Sequence, residues 1–179
     1  MQVQAEKDYA ESGLTIQYAL LDQVKSLPNE EVRPKYILWG GRHVTTADVL
    51  PVPENGVVRA GIISSKEDVE QGFDLKVDGW IEMAQGERVT LLRTWSDPQY
   101  EPIVEYPFLA RDGRLHVWNV YKMKYGSGQV VEEKWTENAG MWIEEVSPTE
   151  RVYHCSHGKA HPPDFDSLVF RVSVRPSAK

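Results

Sequence analysis

From Phe73 onward the chain alternates apolar and polar residues with period two, the spacing that places successive side chains of a β-strand on opposite faces. Leu75, Val77, Ile81 and Met83 mark one apolar face, and Leu115, Val117, Tyr121 and Met123 mark another. Strands are predicted near 73–83, 88–96, 102–110, 114–124, 129–136, 141–146 and 151–156. Turn-forming residues separate them at Gln85-Gly86, the Asp97-Pro98 region, Asp112-Gly113, Gly126-Ser127-Gly128, Asn138-Ala139-Gly140 and Ser147-Pro148. Connections this short join antiparallel neighbours, so the pattern predicts a meander. Leu168 to Val174 alternates again, after a Pro-Pro loop from His161 to Asp166 long enough to let that strand pair away from its sequence neighbour.

The first third reads differently. Leu14, Tyr18, Leu21, Val24 and Leu27 recur at three and four, which predicts a helix over Gly13 to Leu27, capped by Ser12 and stopped by Pro28 and Asn29. Leu14, Ile16 and Tyr18 also fit the opening of a strand. Tyr36 to Trp39 and Val57 to Ser64 read as strands, Leu50 to Asn55 as a turn-rich connection, and Lys66-Glu67-Asp68 as one helical turn. About nine antiparallel strands behind one short helix predict a mainly β fold, either a meander closed into a calycin-like β-barrel or a β-sandwich, because an open meander of that size leaves exposed edges. Residues 1–12 are expected as a flexible arm and 13–179 as one domain.

Composition narrows the function classes. With 179 residues, 41% of them hydrophobic, the chain can bury a sizeable core. Its net charge of −7, without a stretch rich in Lys or Arg, argues against nucleic-acid and anionic-lipid partners, which need clustered cations. Cys155 is the sole cysteine, so no intramolecular disulfide forms, as in a reducing compartment. The segment MQVQAEKDYAESG lacks the basic start and apolar run of a secretory signal, which sets a cytoplasmic expectation. No window approaches the roughly 18 consecutive apolar residues of a membrane span.

The candidate chemistry lies on one alternation. Asp78, Trp80 and Glu82 share a face, as do His116 and Trp118, Glu133 and Trp135, and Trp142 and Glu144. That face is either a solvated exterior or the lining of a polar and aromatic cavity. In a cavity, indoles hold flat apolar molecules and a desolvated carboxylate becomes an acid or base near neutrality. The expected site then has Glu133 and Glu82 as acid or base with His116 as partner. Trp80, Trp118, Trp135 and Trp142 form its walls, with Tyr106, Tyr121, Glu144 and His154 contacting the substrate. The reading is a cofactor-free lyase, isomerase or cyclase acting on a small apolar or aromatic molecule; a non-catalytic carrier with the same pocket is the alternative. A homodimer stays open. No glycine-rich phosphate loop, Gly-x-Ser-x-Gly, HExxH or EF-hand pattern occurs. His154, His157 and His161 around Cys155 lack paired zinc spacing and read as a strand-end histidine, two loop histidines and a buried thiol.

Gly13-Leu14-Thr15-Ile16 through Leu27, then Leu50-Pro51 with Pro53 and Gly56, then Trp95-Ser96 with Pro98 and Tyr100, follow an order similar to that of the actinoporin-type cytolysins. That resemblance covers about half of the chain and implies a β-sandwich preceded by an amphipathic helix that inserts into membranes. The sequence departs from the family in being acidic, and in retaining only Tyr100 and Tyr106 where the family has a dense headgroup-binding aromatic cluster.

Overall fold

The computed structural model describes residues 6–25, 36–66, 68–97, 99 and 101–178. Leu27, Pro28, Asn29, Glu67, Pro98 and Tyr100, to which the sequence reading gave roles, lie outside these residues. Among the described residues the fold is mainly β and antiparallel, with one short helix. The helix α1 (Ile16–Lys25) is followed by β1 (Ile37–Trp39), β2 (Arg42–Thr45), β3 (Asp48–Pro51), β4 (Asn55–Ser65), β5 (Gln71–Glu82), β6 (Arg88–Trp95), β7 (Ile103–Lys124), β8 (Val130–Glu133), β9 (Gly140–Ser147), β10 (Glu150–Ser156) and β11 (Leu168–Pro176).

The strands form one sheet in the order β1-β2-β9-β10-β11-β4-β7-β5-β6, with β3 and β8 also pairing β7. β1 and β6 end this path without pairing each other, so the expected barrel closure does not occur. The sheet instead folds over its apolar face. Phe73 of β5 stacks on Phe170 of β11 at 4.5 Å, and Phe170 stacks on Tyr153 of β10 at 4.8 Å. Leu50, Leu75, Val77, Ile81, Phe108, Leu115, Val117, Met141, Cys155, Leu168 and Val172 fill the core around them. These are the inward positions of the period-two pattern, each leaving water on folding.

Local pairings follow the predicted meander at β5-β6, β7-β8 and β9-β10. The departures are long-range: β2 pairs β9, and β4 pairs both β7 and β11. β11 pairs its sequence neighbour β10 as well as β4. Asp112-Gly113, expected as a hairpin turn, does not reverse the chain. β7 runs through it, and residues 111–114 bulge opposite the single residue Asp78 of β5. The Asp112 carboxylate accepts from the Arg114 amide at 3.1 Å within the bulge, and the Gly113 carbonyl accepts from the Val52 amide at 3.0 Å just beyond β3. β3 (Asp48–Pro51), laid along Arg114–Val117, takes up Leu50 and Pro51 from the stretch Leu50 to Asn55 read as a turn-rich connection.

α1 also differs from its expectation. The cap is Thr15, whose Oγ1 accepts from the Tyr18 amide at 3.3 Å; the Ser12 hydroxyl instead bonds the Tyr9 carbonyl and the Leu14 amide. Two first-turn amides bond across the chain: Ile16 N donates to Asn138 Oδ1 at 3.2 Å and Gln17 N to the Glu137 carbonyl at 2.9 Å. The face turned inward is Ile16 and Ala19, with Leu20, against Tyr9, Ile37 and Val44. Leu14, Tyr18 and Leu21, the residues whose spacing revealed the helix, are exposed. Gly140 permits this seating, because a Cβ there would stand 2.9 Å from Val44 Cγ1 and 3.1 Å from Ile16 Cδ1. The expected flexible arm is tied down from Asp8. Its carboxylate accepts from the amides of Ala10, Gly40 and Gly41, which lower its pKa, and Tyr9 beside it is buried. No helix among the described residues is long and apolar enough to cross a membrane.

Candidate functional site

The members of the tryptophan and acid alternation do not share one cavity: Trp118 is buried with the main core, Trp142 packs against the cluster under α1, and the others lie apart. Trp118 sits on β7. There its Nε1 donates to Asp74 at 2.8 Å, Trp135 packs edge-on at 5.2 Å, and the Lys134 ammonium lies 4.9 Å from the Trp118 ring. Trp80 lies under the Arg88 guanidinium at 4.0 Å, and Arg88 also bonds Glu82 at 3.2 Å on the surface. Trp142 is held between the Arg42 guanidinium at 4.2 Å and the His154 ring, stacked at 3.8 Å and nearly parallel. Glu144 stands 3.6 Å from His154 Nε2, beyond hydrogen-bond reach. His116 is half-buried on β7, between Lys76 of β5 and Val49 of β3.

Besides Trp118 with Trp135 and Trp142 with His154, Glu133 and Tyr121 of the expected site also meet. β8 ends at Glu133, because Trp135 and Glu137 take left-handed backbone conformations with φ of 64° and 49°. This ends the alternation that paired Glu133 with Trp135, and Glu133 lies opposite Tyr121 instead. Its carboxylate accepts from the Tyr125 hydroxyl and from Thr136 Oγ1, and Thr136 in turn bonds the Tyr121 hydroxyl. Burial pushes the Tyr121 phenol up to about 12. The network closes the β7-β8 hairpin on itself. Tyr106 packs against the main core. The histidines around Cys155 also diverge: His157 bonds Asp68 at 3.1 Å, His161 bonds Asn138 at 3.0 Å, and buried Cys155 has its thiol pushed well up by desolvation.

A cleft of about 590 Å³ opens elsewhere, where β3 faces β9 and β10. Its floor continues the core faces of three strands. Asp48 precedes buried Leu50 by two residues on β3, Arg151 precedes Tyr153 and Cys155 on β10, and Glu145 follows Met141 and Ile143 on β9. By alternation all three charges sit at inward positions and meet where the core ends. Arg151 Nη1 donates to Asp48 Oδ2 at 2.7 Å, and the Tyr153 hydroxyl donates to the same oxygen at 2.7 Å. Glu145 is looser, 3.7 Å from Arg151 Nη2. The side chains of Asp48 and Arg151 are only 12% and 17% exposed. Among the described residues no group donates to Asp48 Oδ1. Ala47, Val49 and Ile143 give the cleft apolar surface, and Tyr36, its ring tilted against that of His43 at 4.6 Å between centroids, stands at its rim.

The electrostatics fix what the floor can do. Burial, then the charge and hydrogen bond of Asp48, push the Tyr153 phenol far up, so it stays protonated and donates. Burial works against the Arg151 charge, but Asp48 outweighs it and the pKa rises. Both groups therefore hold rather than shuttle protons. None of Glu133, Glu82, His116 or the four tryptophans lines this cleft. The missed signal was legible: Asp48, Glu145 and Arg151 are charges on the core side of an apolar alternation, the arrangement that costs most unless the groups are paired or reach water. Comparison with family models, with curated proteins and with solved structures finds no match to this chain.

Proposed function

We propose that this protein is a small-ligand-binding β-sandwich whose site is the cleft over Asp48, Arg151 and Tyr153. The carrying observation is the unshared Oδ1 of Asp48, on a carboxylate otherwise buried and bonded, at the floor of a concavity of about 590 Å³. Ligand sites are typically concavities of roughly 300–1,000 Å³, apolar with a few placed polar groups. The occupant is a small, partly apolar molecule that lies against Ala47, Val49 and Ile143 and donates to Asp48. Because Glu133, Glu82 and His116 stand in separate places, the reading is binding rather than turnover.

A screen of small aromatic and aliphatic molecules by ¹⁵N chemical-shift mapping tests this. Binding molecules are expected to move the resonances of Thr45, Asp48, Ile143, Glu145 and Arg151, and Ala47→Trp, which fills the cleft, is expected to abolish the effect. Shifts that centre on Trp118 and Trp135, or that survive Ala47→Trp, would place the site elsewhere.

A second reading rests on α1, which exposes Leu14, Tyr18 and Leu21 along one stripe. Such a stripe suits the surface of a neutral bilayer. Dye release from phosphatidylcholine vesicles, lost on Leu21→Lys, would support it; no release would discard it.

A further inference from the structure

We infer that the ligand of the Asp48 cleft is an organic cation, an amine or amidinium carried on a flat apolar body; this rests on the binding function proposed above. Among the described residues, the charged groups lining the cleft are Asp48 and Glu145 against Arg151, with His43 at the rim paired to Glu6, just outside it, at 3.0 Å. With Glu6 counted beside His43, carboxylates outnumber cations among these described residues in either form of His43, so this part of the cleft is net negative. The chain as a whole carries −7, which adds to the attraction.

The geometry separates the two carboxylates by role. Asp48 is fixed by Arg151 and Tyr153 through one oxygen, which holds its other oxygen in place as a ready acceptor. Glu145 is 72% exposed, and at 3.7 Å its contact with Arg151 is too long for a hydrogen bond, so it is free to turn toward an arriving ammonium. A ligand N–H₃⁺ or amidinium between them satisfies both acceptors with charge-assisted hydrogen bonds. The Tyr36 ring, half-exposed at the rim, offers a π face to the same cation.

An anion meets the opposite situation. Among the described residues the one guanidinium on the floor is already bonded to Asp48 at 2.7 Å, and an incoming carboxylate must displace Glu145 to reach Nη2 and then lie beside Asp48. Specificity here comes as much from this repulsion as from the attraction of cations.

The test uses three molecules with one indole body and different heads: tryptamine, tryptophol and indole-3-propionate. Affinities are read by titration of the full chain, with ¹⁵N shifts locating the site. Tryptamine is expected to bind at least about tenfold tighter than indole-3-propionate, a preference that weakens with salt. Glu145→Gln, an exposed substitution that leaves the Asp48–Arg151 pair intact, is expected to cut that preference about fivefold. Equal or tighter binding of indole-3-propionate overturns the inference and leaves the cleft as a binding site. The inference also fails if none of the three moves the cleft resonances while neutral fragments from the screen do. If no molecule of any charge moves them, the binding function itself is wrong.

Discussion

Asp74 and Asp48 are built from the same parts, an aspartate that accepts from an arginine and from an aromatic donor, yet the two clusters are finished differently. Both Asp74 oxygens are used: Arg93 grips them with Nε and Nη2 at 2.7 Å each, and Trp118 Nε1 adds a bond at 2.8 Å. The carboxylate is fully buried, and Arg93 continues to Glu132 at 2.8 Å. The hydrogen bond and charge of Asp74 raise the Arg93 pKa further. At Asp48 the arginine and the phenol crowd onto one oxygen and, among the described residues, no group donates to the other. A saturated cluster ties strands together, here β5, β6, β7 and β8. An unsaturated one keeps a hydrogen bond in reserve, and that reserve is what assigns a site to Asp48 and a structural role to Asp74.

Breaking the two carboxylates should therefore cost unequal amounts. Asp74→Asn strands a buried guanidinium contact and is expected to lower stability by about 3–5 kcal/mol in urea denaturation. Asp48→Asn, where water already reaches the group, should cost about 1–2 kcal/mol. Equal losses would erase the distinction. Added bulk sharpens the contrast. A Cβ at Gly72, beside Asp74 on β5, would stand 2.0 Å from the Thr94 carbonyl oxygen, so Gly72→Ala is expected to cost about 1–3 kcal/mol through forced strand displacement. Ala47→Trp, in the open cleft, should change stability by no more than about 0.5 kcal/mol.

The smallest effect is in the titration of tyrosines. Burial raises Tyr9 and Tyr121 to about 12, with Asp22 contributing at Tyr9, against about 10 for an unfolded tyrosine. A pKa raised on folding gives stability that is complete below the unfolded value and is lost as pH climbs through the folded one. Stability should thus decline between about pH 10 and 12. Tyrosinate absorbance should show Asp48→Asn lowering the ionisation of Tyr153 while Tyr121 stays in place, because only Tyr153 has Asp48 as a cause of its shift.

Much of the sheet was readable from alternation, since β5, β6, β9, β10 and β11 fall where apolar residues recur at every second position. What alternation does not encode is which distant strand supplies the partner, so β2 against β9 and β4 against β11 had no local signature. Asp112-Gly113 looked like a turn because a bulge uses the same residues as a hairpin. The helix was found from Leu14, Tyr18 and Leu21, which recur at three and four but lie exposed, while the face it buries carries only Ile16 and Ala19. The expected site was placed on the face richest in tryptophan, whose rings cover charged groups. The site proposed above is marked only by three charges at core positions, a signal that tells where polar groups converge but not that a cleft remains open between them.

The central claim is that the free oxygen of Asp48 marks the ligand site, and a crystal structure of the protein soaked with the tightest molecule from the screen tests it most directly. The account predicts electron density in the cleft between Val49 and Ile143, with a ligand donor within hydrogen-bond distance of Asp48 Oδ1. Density for the ligand at the Trp118 and Trp135 cluster, with the Asp48 cleft filled by water alone, would contradict it.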